Sequence, residues 1–229
     1  MVEAQSVWKV YQTGSLKVEA LRGLDLKVRK GEMVAVMGPS GCGKTTLLNC
    51  LSGLDDITKG MVAIEGIDLA TMSDDQKSGF RARRMGFIFQ AYNLLPVLSA
   101  QENVELPLLL AGVSEAEAHK EALSALKMVG LEEWRLHKPM ELSGGQQQRV
   151  TIARALVNKP AIVWGDEPTG NLDSENSAEI VKLLKSLNRD YGLTFVIVTH
   201  DSHIAQETDR IVSMRNGQVE RETATGTKS

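Results

Sequence analysis

Met33-Val-Ala-Val-Met37-Gly38-Pro-Ser-Gly-Cys-Gly-Lys44-Thr45 is a short apolar run that breaks directly into glycine. A run of this length and composition reads as a strand buried on both faces. Gly38 to Thr45 then satisfy the spacing G-x-x-x-x-G-K-[ST], and Thr45 to Leu54 reads as a helix. Strand, glycine loop and helix in this order form a phosphate cradle. Glycines let backbone N–H groups turn inward around phosphate oxygens without obstruction. The helix start adds unsatisfied N–H groups and a positive dipole end. Lys44 brings a mobile ammonium to the β- and γ-phosphates, and Thr45 brings a hydroxyl to Mg²⁺. The expected phosphate-binding set is Gly38, Pro39, Ser40, Gly41, Cys42, Gly43, Lys44 and Thr45, with Thr46 beside them. The bland alternative, a glycine-rich turn that binds nothing, does not account for the flanking strand and helix. Many nucleotide-handling classes share this loop, so other segments must discriminate among them.

Two further segments carry chemistry. Ala161-Ile-Val-Trp-Gly-Asp166-Glu167 is a mostly apolar strand ending in two acids. In open α/β sheets the C-terminal strand ends face the ligand crevice. Asp166 is then placed to hold Mg²⁺, and Glu167 to orient or deprotonate an attacking water. Alone, such a pair would more often be solvated surface; behind a phosphate cradle the catalytic reading prevails. The second segment, Leu142-Ser143-Gly144-Gly145-Gln146, precedes a helix. Ser143 is a good cap and the glycines free backbone N–H groups, which makes a second phosphate-binding device in one chain. The plain reading there is simply a capped helix.

Outward from these segments, Val2–Tyr11 and Glu19–Val28 read as strands around a turn at Thr13–Gly14–Ser15. Met61–Leu69 is β-rich with a turn at Glu65–Gly66, and Phe87–Phe89 is a short buried strand. Ser99 with Glu102, and Ser114 with Glu117, predict capping boxes at two helix starts. Pro107 is expected to kink or end the first helix. The second spans roughly 115–129 and stops at Gly130, and a third runs from Gly145 to Asn158. Residues 91–158 thus form a helical insert. Ala161–Trp164 and Phe195–Val198 read as strands, and 175–190 as an amphipathic helix. Arg210–Met214, Asn216–Gly217 and Gln218–Glu220 read as a hairpin on a type I′ turn. The expected fold is α/β: an N-terminal antiparallel β-subdomain and a parallel core, carrying an inserted helical subdomain. It is one domain over 1–222, with core 1–90 and 159–222, insert 91–158, and a polar, disordered tail from Thr223.

The chain has 229 residues, a formal net charge of -3 and 42% hydrophobic residues. That balance argues against nucleic-acid binding, which would need a basic face. No apolar run reaches the roughly 18–20 residues needed to span a bilayer, and Met1–Gln5 do not read as a signal peptide. A cytosolic compartment is expected. Cys42 and Cys50 lack framework spacing and read as small packing residues. The cluster Arg81, Arg83, Arg84 reads as a solvated face. Trp8 and Trp164 read as core, and His119, His137 and His203 as surface.

Over about residues 2–220 the chain resembles ABC transporter ATPase subunits. The cradle and Asp166–Glu167 match the Walker elements, and Leu142–Gln146 looks like the family signature. The finer resemblance is to the macrolide-exporter, lipoprotein-releasing and cell-division-type subgroup, through Gly86–Pro96 and Asp166–Asp173. This resemblance implies roles for residues that are weak signals alone. Gln90 would contact the metal and sense the γ-phosphate, and His200 would contact the γ-phosphate. Tyr11 would stack on adenine, and Asp173 would lie on the nucleotide-contacting loop after the acids. It also implies an ATP-dependent head-to-tail dimer, with each ATP held between one copy's cradle and the other's Ser143, Gly144, Gly145 and Gln146. An integral membrane permease would be the further partner, holding the chain at the inner face of the membrane. Export or extraction of a substrate is the expected work, with a non-transport signalling complex as the alternative. The apolar run Leu94–Leu98 is a candidate groove for the permease. Gly165 departs from the family's usual alanine or larger apolar residue, and is expected to weaken strand packing and loosen the Glu167 backbone.

Overall fold

A computed structural model describes residues 1–226 and contains two sheets. The first has strand order β2-β1-β4-β5 and is antiparallel throughout. It comprises β1 (Val2–Thr13), β2 (Leu16–Val28), β4 (Lys59–Ile64) and β5 (Ile67–Asp68). The second has order β10-β9-β3-β8-β7-β6. Its strands are β3 (Met33–Met37), β6 (Met85–Phe89), β7 (Ile162–Asp166), β8 (Thr194–Val198), β9 (Arg210–Arg215) and β10 (Gln218–Ala224). Strands β9, β3, β8, β7 and β6 run parallel, and β10 closes one edge antiparallel to β9.

Helix α1 (Lys44–Leu51) follows the cradle, and α2 (Asp74–Arg84) precedes β6. Helices α3 (Ala100–Leu110), α4 (Glu115–Met128) and α5 (Gly144–Leu156) make the insert. Helices α6 (Ser174–Tyr191) and α7 (Ser202–Gln206) flank β8.

The period of two along each parallel strand divides the core. Val34, Val36, Ile162, Trp164, Val196 and Val198 face α1 and the antiparallel sheet. Met33, Val163, Phe195 and Ile197 face the other way, in one continuous apolar cluster with Val104, Ala122, Leu126 and Ile152 of the insert and Ile180, Leu184 and Leu187 of α6. The insert therefore shares its core with the sheet, so a displacement of α3–α5 loads the strands that carry the site. Trp164 is fully buried, as expected, whereas Trp8 is half-buried and lies against Gly23.

Several expectations need correction. Helix α2 has no apolar stripe, since Phe80 is its only buried residue. A capping box between Ser73 and Gln76 and a first turn carrying Asp74 and Asp75 start it instead. Of the arginines on its last turn, Arg83 is exposed as expected, but Arg81 and Arg84 are not simply solvated. Arg81 donates to Gly53 O at 2.5 Å, and Arg84 forks onto Glu65 at 2.6 and 2.7 Å. Pro107 does not end α3, which runs on to Leu110. Ser99 and Glu102 form the full capping box, but Ser114 only accepts from Glu117 N. The hairpin forms as expected, with Asn216 and Gly217 at φ 50° and 78°. Its second strand continues through Thr223 to Ala224, so the chain is ordered beyond the expected start of the tail. The tail's last residues, 227–229, lie outside the described residues.

Candidate nucleotide site

The cradle forms where β3 ends. Lys44 Nζ donates to the carbonyls of Gly38 and Pro39 at 2.8 and 3.1 Å, which holds the ammonium across the mouth of its own loop. Gly43, at φ 102°, caps α1, and a Cβ there would meet Ala20 O at 2.5 Å. Glycine is therefore required on both conformational and steric grounds. Thr45 Oγ1 donates to Asp166 Oδ1 at 3.3 Å, joining the cradle to the end of β7 across 121 residues of sequence.

Burial raises the Asp166 carboxyl above its ordinary value. The Thr45 hydrogen bond opposes that shift, the neighbouring Glu167 charge adds to it, and Lys44 offsets part. A carboxylate held against its own desolvation gains most from a nearby cation. Thr45 and Asp166 are hard oxygen donors, the type Mg²⁺ prefers, and Mg²⁺ commonly uses one or two protein ligands together with substrate phosphates. The residues present fit such an ion. Among the described residues no group of three His, Cys, Asp or Glu side chains could hold a metal on its own, so phosphate oxygens would have to complete the shell.

Glu167 has φ 48°, a left-handed conformation uncommon for a side chain of this size. Its N–H donates to Val198 O at 2.9 Å, so the neighbouring strand pins this backbone. Gly165 therefore does not leave Glu167 loose. The Glu167 carboxylate is largely buried and lies 2.9 Å from His200 Nδ1, while the His200 ring is exposed. The His200 N–H also reaches Glu167 Oε2 at 3.3 Å. Strands β7 and β8 are paired in register, with Asp166 opposite Val198, which brings the acids and the histidine to one sheet edge.

Tyr11 lies beside α1, within interaction range of Thr46. Its hydroxyl donates to Asp55 Oδ2 at 2.7 Å, and Lys9 Nζ sits 4.8 Å from the ring centroid. Burial, with the Asp55 hydrogen bond, pushes the phenol up to about 12. One ring face thus carries a cation. Both cysteines are buried, and burial pushes the Cys50 thiol up to about 12, in keeping with a packing role.

Other expected site residues are not joined to the cradle. Gln90 Nε2 donates to Asn171 Oδ1 at 3.3 Å, and Asn171 Nδ2 donates back to Gln90 O at 2.9 Å. Gln90 is thereby tied to the loop before α6, not to Thr45 or Asp166. Asp173 caps α6, accepting from Asn176 N and Nδ2 at 2.8 and 2.7 Å; these bonds lower its carboxyl below the usual range. Ser143 and Gln146 form a reciprocal capping box at the start of α5. Gly144 and Gly145 have a packing role beyond the expected one. A Cβ at Gly144 would meet Tyr92 Oη at 2.9 Å, and one at Gly145 would overlap Asn176 Oδ1. Among the described residues no hydrogen bond joins Ser143–Gln146 to the cradle.

Two buried polar residues escaped sequence reasoning. Asn103 Nδ2 donates to the carbonyls of Leu95, Leu98 and Ser99, and its Oδ1 accepts from Leu95 N. It shapes the whole Leu94–Leu98 turn. Gln148 donates to Pro168 O, tying α5 to the residue after Glu167. A polar residue on an otherwise apolar helix face was the available signal in both cases.

Fold and site together define an ATP-binding cassette. A family model described as ABC transporter matches residues 21–170, and the chain belongs to that family. It is 42% identical to the lipoprotein-releasing system ATP-binding protein LolD of Legionella pneumophila, covering 96% of each chain. It is 47% identical to the macrolide export ATP-binding/permease protein MacB of Syntrophobacter fumaroxidans, over 97% of this chain but only 31% of that longer protein. The dimeric post-hydrolysis structure of the cassette MJ0796 of Methanocaldococcus jannaschii, bound to ADP and Pi, superposes with a TM-score of 0.90 at 45% identity, covering both chains fully.

Proposed function

We propose that this cassette hydrolyses ATP in a head-to-tail pair of copies and delivers the resulting movement to a separate membrane permease that exports or extracts a substrate. The observation that carries the reading is the Thr45–Asp166–Glu167–His200 line at the cradle, set against a signature segment that meets no cradle in its own chain. The phosphates lie on the cradle amides, with Lys44 neutralising the β- and γ-oxygens. Thr45 and Asp166 would hold Mg²⁺, which would supply charge neutralisation on those phosphates. Glu167 takes the proton from the attacking water, and His200 orients the carboxylate and reaches the γ-phosphate. Tyr11 stacks on the adenine with the face opposite Lys9. A second copy's Ser143–Gln146 segment completes the site, presenting the start of α5 to the phosphate. Gln90, paired with Asn171 here, would be a further oxygen ligand for that ion at the junction with the insert.

The expected docking run Leu94–Leu98 is only partly open, and a neighbouring groove supports a wider surface for the partner. Leu94 packs into the core, while Leu95 and Val97 are exposed. A groove of about 450 Å³ lies alongside, lined by Phe87, Phe89, Leu106, Pro107 and Leu110 together with Asn93. The Phe87 and Phe89 rings stack 5.9 Å apart. A permease helix would seat here, fixing the chain at the inner face of the membrane; no helix among the described residues is long and apolar enough to cross it. The decisive experiment is Glu167→Gln, which keeps the shape of the side chain and removes its basicity. Turnover should fall at least about 100-fold while ATP binding persists, and light scattering should show an ATP-stabilised dimer. A variant that turns over like wild type, or stays monomeric with ATP, refutes the reading.

A further inference from the structure

The C-terminal hairpin reaches the cradle from behind. Strand β9 pairs in parallel with β3, Met37 lying opposite Ser213, so the hairpin turn arrives where the cradle begins. A Cβ on Gly38 would overlap Met214 O. Gly217, buried in the turn at φ 78°, donates its N–H to Cys42 O at 3.0 Å and accepts from Arg22 N at 2.9 Å. The Ala20 carbonyl lies between two glycines: a Cβ on Gly217 would approach it to 2.6 Å, and one on Gly43 to 2.5 Å. Loop, β2 and hairpin thus meet backbone to backbone at a point where no side chain fits. The residues matched by the family model end at 170, so the hairpin side of this contact lies outside them.

We infer that Gly217 is a positioning residue for phosphate binding, acting through the Cys42–Gly43 peptide. In a planar trans peptide the C=O and the N–H point in opposite directions. Donation from Gly217 draws the Cys42 carbonyl toward the hairpin and so turns the Gly43 N–H toward the concave side of the loop, where a β-phosphate oxygen accepts. The hairpin sets the aim of a cradle amide before nucleotide arrives, and binding is spared the cost of orienting it. This inference rests on the reading of Gly38–Thr45 as the phosphate cradle.

The test replaces the Gly217 amide by an ester in the full chain, by incorporating glycolic acid at that position. This deletes the N–H and adds no bulk. Titration with fluorescent ADP and AMP is compared with thermal unfolding. ADP affinity should fall about tenfold, AMP affinity should hold, and the melting temperature should move little. Gly217→Ala should weaken ADP in the same sense. Gln218→Ala removes only the neighbouring bond to Arg22 O and should bind ADP like wild type. An ester variant with normal ADP affinity, beside a Lys44→Ala variant that has lost it, overturns the role of Gly217 and leaves the cradle standing. Equal losses for ADP and AMP would make the contact merely structural and overturn it also. If Lys44→Ala itself binds ADP normally, the cradle reading falls, and the inference with it.

Discussion

Replacing Gly165 with alanine should stabilise the protein without changing its turnover. Gly165 is buried in β7 and is not among the residues at positive φ. A Cβ built there meets Ile197 Cγ1 at 3.5 Å, Ile197 Cγ2 at 3.7 Å and Pro168 Cγ at 3.7 Å, all ordinary van der Waals contacts. Burying that one methyl contributes about 0.8 kcal/mol. Restricting the unfolded chain at a compatible backbone site adds roughly 0.4–1 kcal/mol. Together these give about 1–2 kcal/mol, and a chain of this size gains roughly 2–4 °C in Tm per kcal/mol. The expected rise is therefore about 2–8 °C by calorimetry. Turnover should stay within about twofold, since differences below roughly 0.4 kcal/mol in barrier are expected when the catalytic geometry is unmoved. It is unmoved because Glu167 N is held by Val198 O on the other strand. A lower Tm would show that β7 cannot accept the methyl. A large change in turnover would show that the Val198 anchor does not control Glu167.

Three further substitutions separate stability, shape and partner binding. Asp166→Asn should raise Tm at pH 7 while abolishing hydrolysis. The folded carboxyl lies above its unfolded value, so the charged form opposes folding at neutral pH, and acidification through the raised folded value restores the wild type. The Tm advantage should therefore shrink as pH falls toward 4, and a constant gap across that range would remove the titration from the account. Asn103→Ala should cost roughly 2–3 kcal/mol, because the Leu98 carbonyl and the Leu95 N–H lose their partner together, while the Leu95 and Ser99 carbonyls keep only a backbone donor; an unchanged denaturation midpoint would contradict this. Leu110→Asp changes a residue that is 81% exposed. It should leave basal ATPase and Tm within error but reduce co-purification with the permease several-fold, and undiminished co-purification would move the docking surface elsewhere.

Turnover and coupling have different structural origins in this cassette. The acids, His200 and the cradle sit at one sheet edge, where register alone aligns them. The signature segment, Gln90 and the groove belong to the insert or its junction, and helices α3–α5 of that insert share one apolar cluster with the sheet. A partner pressing on α3 therefore acts on the same packing that supports β7 and β8.

Much of this molecule is legible along the chain. An apolar run followed by spaced glycines and lysine can adopt few conformations, so β3, the cradle and α1 were readable from residues 33–54. Two acids closing an apolar strand, and Ser–Glu or Ser–Gln pairs three residues apart, are likewise local in origin, since backbone geometry brings them together whatever the rest of the chain does. Helix α2 was missed because its signal is a cap and a charged first turn, not a hydrophobic period. Pro107 looked like a terminator because the missing hydrogen bond is a local cost, and the packing of α3 against the core outweighs it.

Other features depend on approach through space. That Gly144 and Gly145 make room for Tyr92 and Asn176, that Gln148 ties α5 to Pro168, and that Gly217 bonds the cradle are contacts between segments far apart in sequence. Spacing carries no trace of them, because a glycine needed for close approach and one needed for a turn are the same residue on paper. Chain order sufficed to propose a phosphate cradle and the two acids beside it. Tertiary packing decided which loops the cradle backbone is bonded to, which carboxylate is buried, and which segments stay away from the cradle of their own chain.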